Sequence, residues 1–424
     1  MKMQNTLCLL ALVLVVCSTP LHADNTGFRG DGSGSAKASG LPTTWSADQN
    51  IVWRASLPGF GASSPITLGD KIFVTCYSGY GAGAGGSKDD LKLHVTCISK
   101  STGKILWDKS HQGNDGVKNY RGFVALHGYA SHTPVTDGKA VYAFFGSSGV
   151  IAYSLSGKKL WDADVGSGTH GFGTATSPVV VGDVLVINAS VESRSLIGLN
   201  KKTGKEIWRA RGINSSWNTP LKVTVNGKTE LVLSMRNRIA SYDPETGQQN
   251  WQVRNGVNDY ICTSAIVHDN VIYAMGGRSG RVFAIKTGGS GDLGDDYILW
   301  QKNGLRSNVP SPVFYKGHMY FVSDGGVAVC VNAKTGETVK KKRLPRTGRV
   351  YASVLVADGK LYSITRKNGT FVLGADKDLT VQAHNTIKND RSVFNASPIV
   401  IGGNKLLVRS DRYLYCIGKV QKVP

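Results

Sequence analysis

The stretch GLNKKTGKEIW, residues 198–208, decides the fold of this chain because it recurs along the sequence in recognisable form. Other copies are CISKSTGKILW at 97–107, SYDPETGQQNW at 241–251 and CVNAKTGETVK at 330–340. Each copy joins two strand-like segments through a polar Thr-Gly turn, where glycine accepts a positive φ without steric cost. The repeated unit is therefore predicted to be a β-hairpin.

Two other positions of the hairpin are regular. A small residue stands six positions before the turn glycine, and we expect it to let the neighbouring sheet approach. A tryptophan ends the second strand, where its ring can fill the gap between sheets while its indole N–H reaches a partner. The small residues are Cys97, Gly198, Ser241, Ala284, Cys330 and Cys416, and the tryptophans are Trp107, Trp161, Trp208, Trp251 and Trp300, with Val339 and Val381 as expected substitutes in two weaker copies.

A second marker, Ser or Thr followed by Pro, recurs in phase with the hairpin. After the first interval of 69 residues, the spacing stays between 42 and 47 residues. An apolar strand, a tight turn and a second strand follow each marker, so one unit contains four short antiparallel strands, as in a propeller blade. The markers are Pro65, Pro134, Pro178, Pro220, Pro312 and Pro398, with Ala265 and Val354 in place of proline at two positions.

Eight markers predict an all-β, eight-bladed β-propeller of four-stranded antiparallel blades over residues 45–424. The last unit lacks its tryptophan strand, because the chain ends soon after YLYCIGK at 413–419. The segment NIVWRASL at 50–57 has that strand's pattern and no blade of its own. We therefore expect the N-terminal strand to close the ring and remove the open sheet edge.

The first 23 residues are predicted to be a cleavable signal peptide. Lys2 precedes an apolar run from Leu7 to Val16, which is too short for a membrane span, and Leu-His-Ala precedes Asp24. We expect export to the periplasm or the medium, and the residues before Cys17 disfavour a lipid anchor. Residues 24–44 are predicted to be an extended Gly/Ser-rich lead that crosses the propeller surface and is ordered only in part.

The composition restricts the partners. The formal net charge of +21 favours acidic partners or reflects lysines and arginines on exposed strands, and it is most concentrated in KKKRLPRTGR at 340–349. We expect an envelope protein or an acidic glycan as partner, no nucleic acid, no transmembrane segment after the signal, and a monomer. Five cysteines follow the signal; Cys97, Cys330 and Cys416 are expected to be buried free thiols, and a bond between Cys76 and Cys97 is left open.

Two insertions emerge on one face of the first blade. They are the Gly-rich loop at 79–90 and the long crossing at 110–128, and we call their side of the propeller the inserted face. Insertions gathered on one face commonly mark a binding face, although whether the 79–90 loop is a lid is left open. The segment GGSGDLGDDY at 288–297 is expected to be a solvated loop, with no metal site.

Residues just before each innermost strand are expected to ring the channel mouth on the inserted face. Aromatic rings, histidines and arginines together suit a planar or anionic ligand, while the same rings can also serve only to pack the blades. No nucleophile motif or paired carboxylates accompany them, so no catalytic residue is assigned. The candidate ligand residues are His127, Tyr129, His170, Trp217, Tyr260, Arg306, Arg349 and Arg391, and the wider rim adds Phe60, His132, Phe172, Tyr351 and Phe394.

The Ser-Pro marker, two strands and the Thr-Gly/Trp hairpin resemble the pyrroloquinoline-quinone-like (PQQ-like) β-propeller repeat over residues 45–420. That superfamily contains quinoprotein alcohol and glucose dehydrogenases and the non-enzymatic outer-membrane assembly protein BamB. The segments GFRGDGSG, LPTTW and LPGFGASSP are also similar to exported repeat proteins of planctomycete-type bacteria.

The resemblance implies three functional alternatives. The enzymes of the superfamily hold a quinone in the channel mouth with calcium, a catalytic Asp and a disulfide between adjacent cysteines, and this chain has no adjacent cysteine pair. We therefore expect a non-catalytic binding or assembly scaffold with no cofactor. The alternatives are a PQQ-dependent oxidoreductase with an atypical mouth site and a protein that binds acidic polysaccharide.

Overall fold

A computed structural model describes residues 24–82, 85–114 and 116–419 of the chain. Eight antiparallel sheets follow one another, and each contains four strands of one blade. The first strand of each blade is the innermost one, and the fourth lies at the outer edge. The predicted eight-bladed propeller is therefore confirmed, whereas the predicted signal peptide at 1–23 lies outside the described residues.

The first four blades are regular in strand order. Blade 1 contains Ile66–Leu68, Lys71–Ser78, Lys92–Ser99 and Ile105–Gln112. Blade 2 contains Val135–Thr136, Ala140–Phe144, Val150–Ser154 and Lys159–Ala163. Blade 3 contains Val179–Val181, Val184–Ala189, Ser195–Asn200 and Glu206–Arg211. Blade 4 contains Leu221–Val225, Lys228–Met235, Arg238–Tyr242 and Gln249–Arg254, with Gly291–Leu293 added outside in parallel.

The remaining blades complete the ring. Blade 5 contains Ile266–His268, Val271–Gly276, Arg281–Lys286 and Ile298–Lys302. Blade 6 contains Val313–Tyr315, His318–Val322, Val327–Asn332 and Thr338–Arg343. Blade 7 contains Leu355–Ala357, Lys360–Ile364, Thr370–Gly374 and Val381–Asn385, with Ser35–Ala36 added inside in parallel. Blade 8 contains Ile399–Ile401, Lys405–Arg409, Tyr413–Ile417 and Ile51–Ser56.

Helical structure among the described residues is limited to four single 3₁₀ turns. These are Lys88–Asp90, Gly122–Val124, Gly146–Ser148 and Asp295–Tyr297. No helix in the described ranges has the length and apolar character that a membrane span needs.

The N-terminal strand closes the ring as the sequence predicts. Ile51–Ser56 pairs antiparallel with Tyr413–Ile417, and Trp53 lies opposite Cys416. The indole N–H of Trp53 then donates to the carbonyl of Lys100 in blade 1, at 3.1 Å. The two ends of the chain thus share one sheet, and that sheet docks on the first blade in the same way as the other blades dock on their successors.

The tryptophans join neighbouring blades. Trp161, for example, donates its indole N–H to the Lys201 carbonyl of blade 3 at 2.9 Å. The turn glycine Gly204 lies against the same ring, because a Cβ built on it would come within 2.6 Å of Trp161. The Thr-Gly turn therefore requires glycine both for its φ of 73° and for this contact. The same donation to the next blade is made by Trp53, Trp107, Trp208 and Trp300.

The small residue of the hairpin also makes room within its own sheet. Gly198 lies directly opposite Trp208 in its own sheet, and a Cβ on Gly198 would come within 2.2 Å of that ring. The small side chain thus makes room for the tryptophan of the same blade, while Cys97 also belongs to one apolar cluster with Val141 and Ala143 of the neighbouring blade.

A β-bulge next to this pair shifts the register, and it changes which residues occupy the tryptophan position in blades 6 and 7. The register shift in blade 6 places Lys340 opposite Cys330, and that in blade 7 places Ala383 opposite Val372. Lys340 and Ala383 therefore occupy the tryptophan positions, and the expected substitutes Val339 and Val381 were wrong. The residue before each tryptophan falls at the bulge, which explains why Leu106, Leu160 and Ile207 are exposed.

The lead lies inside the channel, where we had expected it on the surface. The backbone N–H groups of Thr67 and Thr136, in the innermost strands of blades 1 and 2, donate to the carbonyls of Asn25 and Thr26. Arg29 is buried and donates to the carbonyl of Pro312, and Ser35 pairs with Val356 of blade 7. The many short side chains of the lead allow it to fold back within the narrow channel. Composition alone does not predict this position, because it depends on how the lead fits against the innermost strands.

After the channel, the end of the lead and Trp45, which follows it, form a wedge between blades 7 and 8. Trp45 is 4% exposed and stacks on Tyr362, with ring centroids 6.5 Å apart. The backbone N–H of Trp45 donates to Asn385 at 3.0 Å. This ring fills an interblade gap in which blade 7 contributes only Ala383 at its own tryptophan position.

One open question is answered and one further expectation is corrected. Cys76 lies opposite His94 and Cys97 opposite Phe73, so the two cysteines do not pair, and all five described cysteines are free thiols. Cys97, Cys330 and Cys416 are buried, as expected. The 288–297 segment is not simply a solvated loop, because Gly291–Leu293 pairs with the outer strand of blade 4 and covers Trp251.

Candidate binding site in the channel mouth

A cavity of about 240 Å³ occupies the channel mouth on the inserted face. Its walls come from the crossings that enter the innermost strands, and Phe28 of the lead forms part of its lining from the channel side. The described lining consists of Phe28, Ala62, Ser64, His127, Ser131, Thr133, Phe172, Ala175, Trp217, Thr219, Tyr260, Cys262, Ser264, Val309, Ser311, Tyr351, Ser353, Asn395 and Ser397.

A closed ring of eight hydroxyl groups surrounds the channel at this level. Each hydroxyl belongs to the Ser or Thr of the repeated marker, and its oxygen accepts the backbone N–H of the corresponding residue in the preceding blade at 2.9–3.0 Å. Ser397 N–H donates to Ser64 and completes the circle across the closure. The ring members are Ser64, Thr133, Ser177, Thr219, Ser264, Ser311, Ser353 and Ser397.

The ring explains why the marker recurs. A hydroxyl is a compact group that can accept one N–H and still donate its own hydrogen. Proline directly after it fixes φ and has no N–H to satisfy, which suits the entry to an innermost strand. Seven of the eight residues line the mouth cavity, so a motif that appears structural also places polar groups at the candidate site.

Aromatic rings form one side of the mouth. Trp217 meets Tyr260 edge-on with ring centroids 6.0 Å apart, and Phe172 lies 5.7 Å from Tyr260. The Trp217 indole N–H donates to the Gly173 carbonyl at 2.9 Å, so the ring is held in place. Phe172 remains 43% exposed, which leaves an apolar surface open at the rim.

The lining is uncharged. Burial, with a smaller effect of Arg366, lowers the pKa of His127 to about 4, so its imidazole is neutral at physiological pH. Burial, with a smaller effect of Asp259, raises the pKa of the Cys262 thiol to about 12. No Asp, Glu, Lys or Arg is among the described lining residues, and nowhere in the described ranges do three or more His, Cys, Asp or Glu side chains cluster as metal ligands would.

The structure brings together only some of the predicted site residues. His127, Trp217 and Tyr260 line the cavity, together with Phe172 and Tyr351 of the wider rim. His170 is exposed and does not line the cavity, although the centroid of its ring lies 4.9 Å from that of Trp217.

The other predicted residues lie elsewhere. Arg306 and Arg391 are exposed outside the cavity, and Arg349 is also exposed and pairs with Asp324 at 3.4 Å. Tyr129 is buried beneath the long crossing, and its hydroxyl donates to the Lys118 carbonyl at 2.6 Å. His132 is buried against Phe144, while Phe60 and Phe394 pack on Tyr77 and Tyr415.

Sequence reasoning missed the hydroxyl ring and several single residues of the lining. The hydroxyl ring was available as a signal, since the marker places Ser or Thr at one position in all eight units. No local pattern pointed to Phe28, Cys262 or Asn395. Phe28 reaches the mouth only because the lead enters the channel, whereas Cys262 and Asn395 come from crossings whose sequences differ between blades.

The long crossing forms an ordered cap beside the cavity. We define the cap as residues 116–131, whose Val117, Tyr120, Val124 and Tyr129 are buried in the core of blades 1 and 2. The described part of the 79–90 loop rests on this cap, with the Tyr80 ring 6.2 Å from Tyr129. No described loop residue lines the mouth cavity.

Glu192 is buried beneath the cap. Its side chain lines a small enclosed space with Lys118, Tyr120 and Thr174, and neither carboxylate oxygen has a well-formed hydrogen bond among the described residues. Burial raises the pKa of Glu192 from 4.5 to about 7, and the nearby Thr174 hydroxyl opposes this only in part. The folded protein therefore holds this proton more tightly than the unfolded chain does.

We expect this group to make the protein less stable as the pH rises. The contribution of Glu192 is fully present below its unfolded pKa of 4.5 and is lost as the pH rises towards 7, by about 3 kcal/mol at most. Glu192→Gln should remove this loss, so its free energy of unfolding should exceed that of the wild type at pH 8 but not at pH 4.5. Urea unfolding at both pH values measures the difference, with exposed Glu245→Gln as control. Equal pH profiles for Glu192→Gln and the wild type would contradict the assignment.

Sequence comparison with protein families gives one match. The profile of the family described as outer membrane protein assembly factor BamB matches residues 26–190, 156–292 and 290–416. These overlapping segments cover nearly all of the propeller and the channel segment of the lead. No protein of curated function matches the chain.

Solved structures share the architecture at low sequence identity. BamB from Moraxella catarrhalis superposes with a TM-score of 0.64 at 15% identity, covering 88% of this chain and 98% of that one. Quinohemoprotein alcohol dehydrogenase from Comamonas testosteroni superposes with a TM-score of 0.67 at 10% identity, covering 95% of this chain and 81% of that one. The computationally designed Ika8 protein superposes with a TM-score of 0.59 at 12% identity, covering 87% of this chain and 99% of that one. At these identities the likeness shows the fold alone.

Proposed function

Because this chain belongs to the family of the outer membrane protein assembly factor BamB, we propose that it is an exported, non-catalytic propeller scaffold that binds an envelope protein through its inserted face. The resemblance to BamB, whose family description names assembly of outer membrane proteins, gives the class of partner. The apolar start of the sequence supports export, since a short apolar run after Lys2 is typical of a signal peptide.

The uncharged lining of the mouth carries the non-catalytic part of the proposal. General acid–base chemistry needs a group that exchanges a proton near the working pH. His127 has a pKa of about 4 and Cys262 a pKa of about 12, so both stay uncharged there. Hydroxyls, aromatic rings and one amide remain, and these groups bind and orient a ligand.

The lining does not fit the cofactor that the PQQ-like resemblance implies. Pyrroloquinoline quinone is a planar tricarboxylate, and buried carboxylates need cationic or dense hydrogen-bonding partners. The described lining has no Arg or Lys for those carboxylates and no Asp or Glu for calcium, which takes oxygen ligands with carboxylates among them. We therefore derive no step through this cofactor.

The cap offers a surface for a protein partner. A shallow groove runs between the cap and the described part of the 79–90 loop, lined by Tyr80, Arg121 and Leu126 among others. Lys118 and Arg121 are exposed along the cap, while the residues beneath them are buried. A rigid base with exposed cations and half-buried apolar groups is suited to recognition of another protein.

The test is loss of partner binding after a change confined to the cap. The double variant Lys118→Glu/Arg121→Glu should lose at least about 90% of the partner captured by the wild type, because each reversal replaces attraction by repulsion at the interface. The control Lys158→Glu/Lys205→Glu makes the same charge change at two exposed turns on the opposite face. Capture from the solubilised envelope of the source organism, quantified by mass spectrometry, gives the readout. Equal loss from both variants, or no specific partner, contradicts the proposal.

Acidic polysaccharide is a second candidate ligand, favoured by the outer strand of blade 6. Lys340, Lys341 and Arg343 are exposed on this strand, and their cross-strand neighbours are Cys330, Val329 and Val327, so no carboxylate faces them across the sheet. Lysines on an outer edge also prevent edge-to-edge pairing of sheets, which is the competing explanation. Two of the basic groups are also bonded to backbone carbonyls, because Lys342 donates to Leu379 of blade 7 and Arg343 donates to Gly325.

Heparin retention separates the two explanations. We expect the triple variant of Lys340, Lys341 and Arg343 to Glu to elute at lower salt than the wild type, by about 0.2 M NaCl, because exposed charge contacts are screened by salt. Lys104→Glu/Lys158→Glu/Lys205→Glu has the same total charge and serves as control. If the two triple variants elute at the same salt concentration, the basic strand of blade 6 does not bind acidic polysaccharide, and its lysines serve only to prevent edge-to-edge pairing of sheets.

A further inference from the structure

The mouth cavity has more hydrogen-bond donors than acceptors to receive them. Each hydroxyl oxygen of the ring accepts a backbone N–H, and within the described residues none of the eight donates its own hydrogen to a protein acceptor. The Nδ2 of Asn395 is also buried without a partner. Arg366 Nε donates to Asn395 Oδ1 at 3.0 Å, which fixes the amide so that its donor side remains unused. Buried donors need acceptors, and here a ligand or water must supply them.

The aromatic side of the cavity provides a complementary apolar surface. The ring centroids of Phe172 and Tyr260 lie 5.7 Å apart at the rim, and the Phe172 side chain is 43% exposed. Trp217 uses its indole N–H on Gly173, so it contributes ring surface and no further donor. A ligand that satisfies both sides has acceptor oxygens along its edges and an apolar face.

Charge and size narrow the ligand further. The described lining contains no ionic side chain, and the nearby Arg366 already donates to Asn395 and lies over the Tyr351 ring, so a charged ligand would have no direct ionic partner in the cavity. The cavity of about 240 Å³ is smaller than the roughly 300–1,000 Å³ of sites for drug-sized ligands, so it suits a single ring. Phe28 limits its depth from the channel side.

We propose that the mouth cavity binds one neutral pyranose ring, such as a terminal sugar residue of a glycan. The C–H face of the sugar packs on Phe172 and Tyr260, while its oxygens accept hydrogen bonds from ring hydroxyls and from Asn395. The site is separate from the cap groove and from the basic strand of blade 6. It therefore does not depend on the envelope-protein partner proposed above.

Cys262 provides a direct probe of occupancy. It is the one described cysteine that is partly exposed, and it is among the residues that line the cavity. A small neutral thiol reagent, methyl methanethiosulfonate at pH 8.5, should modify it first, and intact-mass spectrometry follows the rate. The experiment uses the full exported chain with methyl glucoside, methyl galactoside, methyl mannoside or N-acetylglucosamine at increasing concentration, and with indole as an aromatic probe that lacks acceptor oxygens.

Saturable slowing of Cys262 modification by at least one sugar, greater than that by indole, is expected. Asn395→Asp keeps the shape and exchanges the unused donor for an acceptor, so the sugar should protect about tenfold less well. Phe172→Ala, at an exposed position, should weaken protection similarly, whereas Leu160→Ala, equally exposed on an outer strand, should not. No protection by any of the four sugars, stronger protection by indole, or unchanged protection in both cavity variants would overturn the proposal.

Discussion

Arg409→Ala is expected to lower the free energy of unfolding by about 3–5 kcal/mol. Arg409 lies in blade 8 and is fully buried, and its guanidinium donates to the carbonyls of Ser63 and Thr75 in blade 1 at 2.7 and 2.8 Å. It also donates to the Ser63 hydroxyl and contacts the Cys76 sulfur at 3.4 Å. These bonds cross the junction between the last blade and the first, where the chain offers no covalent connection between neighbouring blades beyond the closing strand.

The loss has two physical sources. Alanine leaves the acceptors of blade 1 buried without donors, each of which costs about 1–3 kcal/mol when unsatisfied. It also removes a cation close to Asp411, which is itself buried, and whose pKa is raised by that burial. Arg409→Met restores volume but no donor, so we expect it to recover only part of the stability.

Urea unfolding at pH 7, followed by tryptophan fluorescence, measures the effect. Arg391→Ala is the control, since Arg391 is exposed and should change stability by less than about 0.5 kcal/mol. If Arg409→Ala unfolds at the same urea concentration as Arg391→Ala, the guanidinium does not hold the closure.

Trp45→Ala is expected to lower the free energy of unfolding by about 3–5 kcal/mol, although the residue directly follows the Gly/Ser-rich lead and precedes the first strand of the propeller. Its ring is almost completely buried against Tyr362 and belongs to one apolar cluster with Leu41, Leu355 and Tyr415. Removing it opens a cavity between blades 7 and 8, because Ala383 cannot reach across the gap. Two blades should loosen together with the lead.

Amide hydrogen exchange locates the part of the protein that Trp45→Ala destabilises. Backbone amides of blades 7 and 8 should exchange faster in Trp45→Ala, while those of blades 3 and 4 should keep their wild-type rates. Leu160→Ala, at an exposed outer position, provides a control for a large-to-small change without a cavity. Uniform exchange in all blades, or a urea midpoint equal to that of the control, would show that the wedge does not stabilise this junction.

These two residues show where sequence reasoning about the fold ends. The hairpin at 198–208 and the Ser/Thr-Pro marker are local patterns, and their period predicts the number of blades, the strand order and closure by Trp53. Arg409 and Trp45 carry no such signal, because neither belongs to a repeated position. Their importance arises from the two junctions where the repeat is imperfect.

The candidate site divides in the same way. Position in the repeat places His127, Trp217 and Tyr260 at the mouth, because every innermost strand begins at the same level of the channel. It does not decide the direction of long side chains, and the three predicted arginines point away from the cavity into solvent or towards Asp324. The ligand class that we infer changes with them, from a planar or anionic ligand to the proposed neutral sugar ring.

The sequence by itself determined the all-β class, the number of blades and the positions of the tryptophans that end the hairpins. These features depend on turn chemistry and on the strand pattern within one repeat of about 44 residues. Only the tertiary structure decided that the lead fills the channel, that eight hydroxyls form a closed ring and that the mouth is uncharged. Each of these depends on groups hundreds of residues apart, such as Ser64 and Ser397, meeting in space. Local propensity carries no information about such meetings, because they depend on the packing of all eight blades around one axis.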